Sequence, residues 1–560
     1  MIDQQFLLPR SLREQYYREG YWRAEDLWTS FAAMAASRAA ATALVDGDRR
    51  ISFADLQRNA ERFGQALRSS GVSPGDVVVV HGRHCIESSI AILGCAHAGT
   101  VVALLPHMFS TEQIRAILDN SKARVLVALG EPAEVLRALE AGRGCLLAAF
   151  VAADSAATHD AFEKSWSRFL ALGDSLNSPH QPSGPEDLAL LMFSSGTTGE
   201  PKGVMHSANT IRFAVETYAR YQSIEPSDIS LVVTAFGFIG SSVLGTHLTY
   251  LRGCCTILQR SWSAEETLAL IEKHGVTHFL LMPTHAADLL ACPRLERTNC
   301  ASVSRGVVAG INEAQRLASR VRLCVRPYPM YGMSESPAHV TGGTADELEQ
   351  LRTTEGKPLP GTELLICDDE DRPLPPGTQG NILVRGPNRF LGYYHNEALN
   401  RSALTADGFF RTGDVGFVDA AGFMTFVTRS KDIVRRGGVT ITPADIEAVL
   451  RPHPRIADVA VIGLPDQRLG ERACACVITR DGQDISLQEL TDFLQAKAFA
   501  RYLWPESVVT CESFPRTPSL KVQKNELRKQ VLARAERKLT QPTFTSRPVP
   551  KFPIRRSSLE

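Results

Sequence analysis

Short apolar runs alternate with amphipathic stretches from the N-terminus to about residue 400, and this alternation constrains the fold more than any other feature. The clearest apolar runs cover residues 76–81, 125–129, 188–194, 229–236 and 278–283. Strands that are apolar at every position are buried on both faces, as in parallel sheets covered by helices. The alternation therefore predicts an α/β fold in which parallel sheets form the N-terminal part of the chain.

Two amphipathic stretches carry clear helix signals. Ser52 opens the run Ser-Phe-Ala-Asp, which is a helix-capping signature. The apolar residues that follow it share one helical face: Phe53, Leu56, Ala60, Phe63 and Leu67. A second helix is predicted to begin after Ser263 and to end near Gly275, because glycine is common just beyond a helix end.

One segment, from Ser88 to Thr111, contains no charged residue and is long enough to suggest a membrane-spanning helix. Polar residues and helix breakers interrupt it, namely Gly94, His97, Gly99, Thr100 and Pro106. We therefore favour a buried helix over residues 89–97 followed by a buried strand over residues 100–105, and the membrane helix is the alternative.

The chain has 560 residues, more than a single hydrophobic core usually spans, so two or more domains are expected. We predict a large N-terminal domain over residues 1–428, in which residues 355–428 are rich in turn pairs and form a small β subdomain. A smaller α+β domain is predicted over residues 432–540, and a disordered tail over residues 541–560. The α+β domain should contain helices over 444–450 and 486–497 and strands over 459–463 and 473–479.

Composition excludes some classes of function. The 61 Lys and Arg residues balance the 61 Asp and Glu residues, so no overall charge favours nucleic acid or an anionic membrane. The 12 cysteines include no pair with the two-residue gap of zinc or redox motifs, and we predict reduced, apolar core cysteines without a structural metal. The N-terminus has no apolar run of signal-peptide length, so a cytoplasmic protein is expected.

The strongest chemical signal is a run of small and hydroxylated residues directly after the apolar run that ends at residue 194. It reads Ser194, Ser195, Gly196, Thr197, Thr198, Gly199, Glu200, Pro201, Lys202, Gly203. Small residues let the backbone approach phosphate oxygens, hydroxyl and N–H groups donate to them, and lysine adds a positive charge. The spacing differs from the P-loop of kinases and GTPases. An ordinary Ser/Gly/Thr turn is the alternative interpretation.

This run resembles the AMP-binding signature of the adenylate-forming superfamily, which includes acyl-CoA synthetases, aryl-acid ligases, peptide-synthetase adenylation domains and luciferases. The resemblance extends from about residue 25 to about residue 530, with further motifs in the superfamily's order. The second motif reads Tyr331, Gly332, Met333, Ser334, Glu335. The resemblance implies that Tyr331 stacks on adenine, that Ser334 reaches the α-phosphate and that Glu335 helps to hold Mg²⁺, a cation that prefers carboxylate and phosphate oxygens.

Three further motifs resemble those of the same superfamily. In the run from Phe410 to Asp414, the resemblance implies that Asp414 accepts hydrogen bonds from the ribose hydroxyls. In the run from Arg429 to Asp432, it implies that Arg429 contacts the nucleotide and that residues 429–431 form a hinge with Lys431 as the pivot. Gly437 and Gly438 follow, where the superfamily brings its C-terminal domain against the thiol channel, and glycine permits close backbone approach.

The last motif runs from Pro515 to Lys521, and Lys521 is the predicted adenylation lysine. A lysine between the attacking carboxylate and the α-phosphate would neutralise charge that develops in the transition state. The superfamily usually has glycine before this lysine, whereas Leu520 stands there in this chain. A solvated surface lysine is the alternative interpretation.

The predicted acyl pocket includes Phe236, Gly237 and Gly310, and Gly310 is predicted to line either the adenine side or the acyl side of the site. Amino-acid-activating relatives place an aspartate after the phenylalanine to hold the ammonium group, and Gly237 stands at that position here. A buried ammonium without such a partner is costly, which argues against an amino-acid substrate. We expect a monocarboxylic acid with a medium-sized apolar body, aromatic, alicyclic or aliphatic.

The resemblance thus implies a ligase that uses ATP and Mg²⁺ to convert a non-amino carboxylic acid to an acyl-adenylate, and then forms a thioester. Coenzyme A is the expected thiol, with a mobile C-terminal domain serving the two steps in turn. Two alternatives stay open: an adenylation enzyme that loads a separate carrier protein, and a homologue that binds acyl-AMP without turnover.

Overall fold

The computed structural model of the chain describes residues 6–142, 146–151, 159–174, 179–194, 202–308, 319, 322–323, 326–343, 346, 349–436, 439–466, 468–497, 499–516 and 522–540. The chain divides into two compact units, with the boundary between Lys431 and Asp432. The tail predicted to be disordered, 541–560, lies outside the described residues.

The first unit contains most of the β-structure. Its strands are β1 (Thr42–Asp46), β2 (Arg49–Ser52), β3 (Val77–Gly82), β4 (Val101–Pro106), β5 (Val125–Gly130), β6 (Leu146–Val151), β7 (Leu188–Ser194), β8 (Lys202–Ser207), β9 (Ile229–Val232), β10 (Cys255–Leu258), β11 (His278–Leu281), β12 (Gly306–Val308), β13 (Pro327–Tyr328), β14 (Met330–Met333), β15 (Ser336–Thr341), β16 (Lys357–Pro358), β17 (Glu363–Cys367), β18 (Gly380–Arg385), β19 (Gly392–Tyr393), β20 (Phe410–Val418) and β21 (Met424–Arg429).

Two seven-stranded sheets form the body of this unit, in the orders β13-β12-β11-β9-β10-β1-β2 and β19-β8-β7-β4-β3-β5-β6. Most neighbours are parallel; β2, β8 and β19 add antiparallel edges. The predicted α/β fold with parallel sheets is therefore confirmed. The strand predicted over 229–236 ends earlier, at Val232, because the buried apolar residues after it leave the sheet.

Helices cover the sheets, and those of the first unit are α1 (Arg10–Arg18), α2 (Leu27–Ser37), α3 (Phe53–Ser69), α4 (Ile86–Ala98), α5 (Thr111–Ser121), α6 (Pro132–Ala141), α7 (His159–Asp174), α8 (Ala208–Tyr221), α9 (Ile239–Ser241), α10 (His247–Arg252), α11 (Ala264–His274), α12 (Pro283–Ala291), α13 (Gln350–Thr353) and α14 (Glu397–Ala403). A π-helical turn, Ser242–Thr246, joins α9 to α10. The Ser52 hydroxyl accepts the Asp55 N–H at 3.1 Å and caps α3, whose predicted apolar face is buried.

The uncharged segment from Ser88 to Thr111 is a buried helix and a buried strand, as favoured above. Helix α4 ends at Gly99 in a left-handed conformation with φ of 68°, and β4 follows in the middle of its sheet. Every side chain of β4 is buried, which accounts for the lack of charge. No helix in the described part of the chain has the length and apolar character to cross a membrane.

The predicted β subdomain is a four-stranded antiparallel sheet, in the order β17-β18-β20-β21. Between β18 and β20 the chain leaves this sheet, and β19 pairs with β8 at the edge of the large sheet, with Tyr393 opposite Val204. The subdomain is thus joined to the large sheet by backbone hydrogen bonds.

The second unit has an α+β architecture around its own core. Its elements are β22 (Val434–Arg436), β23 (Val439–Ile441), α15 (Pro443–Leu450), β24 (Ile456–Asp466), β25 (Gly470–Thr479), α16 (Leu487–Ala496), β26 (Ser507–Thr510) and α17 (Lys524–Thr540). Strands β24 and β25 form a long antiparallel pair, to which β22 and the parallel β26 add. The predicted helices and strands are all present, and the two long strands extend beyond their predicted limits.

Candidate active site

Strands β7 and β8 form a hairpin whose last pair joins Ser194 to Lys202. The residues between them, which include the predicted phosphate-binding residues Ser195, Gly196, Thr197, Thr198 and Gly199, lie outside the described residues. The hairpin ends at the carboxyl edge of the parallel strands, where open α/β sheets bind their ligands. Lys202 is partly exposed at the start of β8.

The second predicted motif lies on β14 and the turn after it. Tyr331, Gly332 and Met333 belong to the strand, and Ser334 and Glu335 form the turn to β15. A Cβ atom at Gly332 would lie 2.6 Å from the backbone nitrogen of Ala338, so only glycine fits at this position of the strand. The Tyr331 side chain is 9% exposed, and its hydroxyl donates to Asp414 Oδ2 at 2.7 Å.

Asp414 and Arg429 face each other across strands β20 and β21. Arg429 Nε lies 3.4 Å from Asp414 Oδ1, so the carboxylate contacts Tyr331 through one oxygen and Arg429 through the other. Burial, and secondarily the Asp414 charge, raises the pKa of Tyr331 well above its ordinary value, so the phenol remains a hydrogen-bond donor. Phe426 on β21 stacks on Tyr331 with ring centroids 5.9 Å apart and remains 37% exposed.

Glu335 is held by a residue that the sequence analysis did not predict. Tyr393 on β19 donates its hydroxyl hydrogen to Glu335 Oε1 at 2.7 Å. Burial raises the pKa of Glu335, and the opposing influences are the hydrogen bond from Tyr393 and the positive charges of Arg429 and Lys202. Lys202 Nζ also lies 5.8 Å from the centre of the Tyr393 ring. The structure therefore brings together Lys202, Glu335 and Arg429.

His206 is a second residue that the sequence analysis missed. It follows Lys202 on β8 and is fully buried, and its Nε2 lies 2.7 Å from the Ser334 carbonyl oxygen. Because a carbonyl can only accept, Nε2 carries the hydrogen. Burial lowers the pKa of His206 to about 4, which agrees with a neutral ring. His206 fixes the turn that carries Ser334 and Glu335, although no motif spacing marks it.

A magnesium ion fits the donors at this site. Within the residues described, no three His, Cys, Asp or Glu side chains are grouped so as to hold a metal ion. Mg²⁺ needs no such group, because it is usually bound by one or two carboxylates together with substrate phosphates and water. The hydrogen bond from Tyr393 uses one of about four acceptor positions on the Glu335 carboxylate, so capacity for a cation remains.

The predicted acyl-pocket residues Phe236 and Gly237 lie where the two large sheets meet. Phe236 is buried and packs edge-to-face on His84, with ring centroids 5.3 Å apart. Gly237 has φ of 82°, and a Cβ atom there would lie 2.9 Å from Pro106 Cδ at the carboxyl end of β4. Glycine is thus required by the backbone and by space, and a longer side chain would be directed at β4.

The remaining predicted residues lie at the boundary between the two units or outside the described residues. Lys431 lies in a 3₁₀ turn, Ser430–Asp432, at the boundary between the two units. Gly310, Gly437, Gly438 and Lys521 are not among the described residues. The flanks of the Lys521 segment are described: Arg516 bridges to Val522 in antiparallel fashion, and Arg516 forms an ion pair with Asp458. The second unit therefore anchors both ends of the segment that carries Lys521.

The fold and the site define an adenylate-forming enzyme. The chain belongs to the AMP-binding enzyme family, which matches residues 31–394, and the AMP-binding enzyme C-terminal domain matches residues 445–521. The relatives are acyl-CoA ligases and aryl-acid adenylases. The chain is therefore an enzyme that activates an acyl or aryl acid by adenylation.

Two curated relatives and one solved structure illustrate the similarity. The medium-chain fatty-acid–CoA ligase of Escherichia coli K12 is 29% identical over 93% of this chain and 93% of the relative. The salicyl-AMP ligase / salicyl-S-ArCP synthetase of Mycobacterium tuberculosis is 30% identical over 93% of this chain and 94% of the relative. The crystal structure of ATP-bound MatB from Rhodopseudomonas palustris has a TM-score of 0.80, at 23% identity, covering 91% of this chain and 99% of that one.

Proposed function

We propose that the protein uses ATP to activate a non-amino carboxylic acid as an acyl-adenylate and then transfers the acyl group to coenzyme A. The observation that carries the proposal is the joint placement of Tyr331, Asp414, Arg429, Glu335 and Lys202 in the first unit. A stacking phenol beside a carboxylate suits adenine and ribose, and two cations beside a metal-binding carboxylate suit a triphosphate.

The two steps require different groups. In the first, a substrate carboxylate oxygen attacks the α-phosphorus of ATP, and the bond to the pyrophosphate leaving group breaks. In the second, the thiol gives up its proton to solvent, its sulfur attacks the acyl carbon, and the bond to AMP breaks. Bound at Glu335, Mg²⁺ would neutralise phosphate charge. Lys202 and Arg429 attract the phosphates, and Asp414 accepts the ribose hydroxyls. Lys521 would stabilise charge on the α-phosphate in the first step.

The domain organisation proposed for these steps is a large domain over residues 1–428, a hinge over 429–431 and a mobile domain over 432–540. Division of the chain directly after Lys431 supports this assignment. Rotation about Lys431 would present Lys521 for adenylation, and the segment with Gly437 and Gly438 for the thiol. Hinge residues need only absorb a change in backbone angles, which a short 3₁₀ turn can do.

The acid proposed for the site is a monocarboxylic acid with a medium-sized apolar body, bound near Phe236, Gly237 and Gly310. The apolar surroundings of Phe236 support it, as do the fatty acid and the aromatic acid named in the two curated relatives. An apolar pocket separates acids that differ by one methylene by only about 1–3 kcal/mol, so graded preferences are expected. The backbone at Gly237 also leaves no room for the aspartate that an ammonium group would need.

The two curated relatives differ in their thiol acceptor, since one is named for CoA and the other for a carrier protein. A panel of benzoate, salicylate, cyclohexanecarboxylate, hexanoate, acetate, palmitate and several α-amino acids tests both issues. Acid-dependent exchange between pyrophosphate and ATP reports adenylation, and AMP release with and without coenzyme A reports transfer. Exchange without coenzyme A-dependent AMP release would favour a carrier protein. No exchange with any acid would instead indicate binding without turnover.

A further inference from the structure

One short segment, Phe390–Tyr394, bridges the two elements that carry Glu335 and Lys202. The Phe390 N–H donates to the Glu335 carbonyl oxygen at 2.8 Å. The Leu391 N–H donates to the Met205 carbonyl oxygen and the Tyr394 N–H to that of Gly203, each at 2.8 Å. The segment therefore lies between the Glu335 turn and strand β8 and is fixed to both by its backbone.

Tyr393 is held firmly within this segment by groups other than its hydroxyl. The Asn400 side chain accepts the Tyr393 N–H at 2.6 Å and donates to its carbonyl oxygen at 3.0 Å. The Tyr393 ring is 6% exposed and packs edge-to-face on Phe390, with ring centroids 4.9 Å apart. Because backbone and ring are already fixed, the hydroxyl is not needed to place Tyr393.

The hydroxyl and the ring of Tyr393 contact two different residues of the site. The hydroxyl donates to Glu335 Oε1 at 2.7 Å, which limits rotation of the carboxylate. The ring lies 5.8 Å from Lys202 Nζ, within the range of a cation–π contact. Hydrogen bonds to a ligating carboxylate fix its orientation, and removing such partners typically weakens metal binding about 10–100-fold.

We propose that Tyr393 is a positioning residue that orients the Glu335 carboxylate for a divalent cation bound with ATP, while its ring holds Lys202 beside the same phosphates. This inference rests on the proposed function, because it takes Glu335 as the residue that binds the cation. In this role Tyr393 acts through its contacts with Glu335 and Lys202, and not by direct contact with the nucleotide or the acid.

The test is Tyr393→Phe, which removes the hydroxyl and keeps the ring. Its matched control is Tyr394→Phe, at the next residue, whose ring packs on His395. Mn²⁺ binding to the ATP-saturated enzyme, followed by its EPR signal, should weaken about 10–100-fold in Tyr393→Phe. The control should stay within about twofold of wild type. In Tyr393→Phe, pyrophosphate exchange should also require a higher Mg²⁺ concentration. Thioester formation from supplied acyl-adenylate should not change in this variant.

A double-mutant cycle with Glu335→Gln separates positioning from a structural role. If Tyr393 acts through Glu335, then Tyr393→Phe should cause no additional loss of Mn²⁺ affinity when Glu335 is already glutamine. Additive losses would overturn the inference. So would a melting temperature of Tyr393→Phe lowered by more than about 3 °C, or Mn²⁺ affinity within threefold of wild type. Absence of pyrophosphate exchange in the wild-type enzyme would refute the proposed function instead, and the Mn²⁺ measurement would still decide the role of Tyr393.

Discussion

Tyr331 donates a hydrogen bond to Asp414 Oδ2 at 2.7 Å, across 83 positions of sequence. The two residues lie on different sheets, β14 and β20, and the contact joins the motif assigned to adenine with the motif assigned to ribose. Since Arg429 contacts the other Asp414 oxygen, the carboxylate is oriented from both sides by the protein itself. Such preorganisation lowers the cost of ordering the site when the ligand binds.

Tyr331→Phe should weaken nucleotide binding about tenfold, because a hydrogen bond to a charged group contributes about 1.5 kcal/mol or more. The stacking ring would be retained, so only the constraint on Asp414 is removed. Isothermal titration with ATP measures the effect. Tyr328→Phe is the control, since the buried Tyr328 hydroxyl has no hydrogen-bond partner within the described structure. Equal ATP affinity of Tyr331→Phe and wild type would show that Asp414 does not depend on this hydrogen bond.

Glu335→Gln should reduce Mg²⁺-dependent adenylation at least tenfold while leaving the fold intact. The amide oxygen of glutamine can still accept from Tyr393, but it lacks the charge that a cation needs. Burial raises the pKa of Glu335, which means that the ionised carboxylate destabilises the enzyme when no cation is bound. Replacing it with a neutral amide should therefore not lower the melting temperature. A large loss of stability without nucleotide would assign Glu335 a structural role.

Lys521→Ala should separate the two half-reactions. Loss of one electrostatic stabiliser costs about 10²–10³ in rate, so pyrophosphate exchange should fall by at least that factor. Conversion of supplied acyl-adenylate to thioester should persist, because the lysine is assigned to the first step only. Lys524→Ala is a useful control, as Lys524 forms an ion pair with Glu447 at 2.6 Å. Exchange within threefold of wild type would reject the assignment of Lys521.

His278 should make stability depend on pH. It is buried on β11, with Nε2 2.8 Å from the Tyr218 hydroxyl oxygen, and burial lowers its pKa from 6.5 to about 3. The folded protein keeps this ring neutral, whereas the unfolded chain takes up a proton below pH 6.5. Stability is therefore fully present above pH 6.5 and is lost as the pH falls towards 3, by up to about 1.4 kcal/mol per pH unit.

His278→Gln removes this titrating group, so its unfolding free energy should fall less steeply between pH 6.5 and pH 4.5. Urea unfolding at several pH values provides the slope. Tyr218→Phe, which removes the partner and keeps the histidine, should retain the wild-type slope even if it is less stable overall. Identical slopes for wild type and His278→Gln would mean that the ring is protonated in the fold.

The elements that the sequence predicted well are those with local signals. The Ser52 cap, the buried face of α3 and the end of α11 at Gly275 follow from residues a few positions apart. The strand that begins at Ile229 was predicted to be longer than it is. An apolar run indicates that its residues are buried, but it does not show that they pair with a neighbouring strand. The continuation of the run after Ile229 is buried, yet it turns at Gly237 into a helical segment.

Only those residues of the site that belong to sequence motifs could be predicted. Tyr331, Glu335, Asp414 and Arg429 follow from the family resemblance, and the structure brings them together. The contribution of Tyr393 depends on pairing between β19 and β8, which are distant in sequence, and β19 is too short to carry an alternating pattern. His206 hydrogen-bonds to the backbone carbonyl of Ser334. Because every residue at position 334 would offer the same carbonyl, the contact requires no particular pair of residue types and produces no sequence motif.

The edge position of β19 also bears on where the chain can be cut. A fragment that ended before Leu391 would leave the outer side of β8 unpaired, with the Gly203 and Met205 carbonyls lacking donors. Uncovered edge strands pair readily with other chains. A truncated N-terminal portion should therefore self-associate, whereas one extended through Lys431 retains the covering strand and the sheet of the β subdomain.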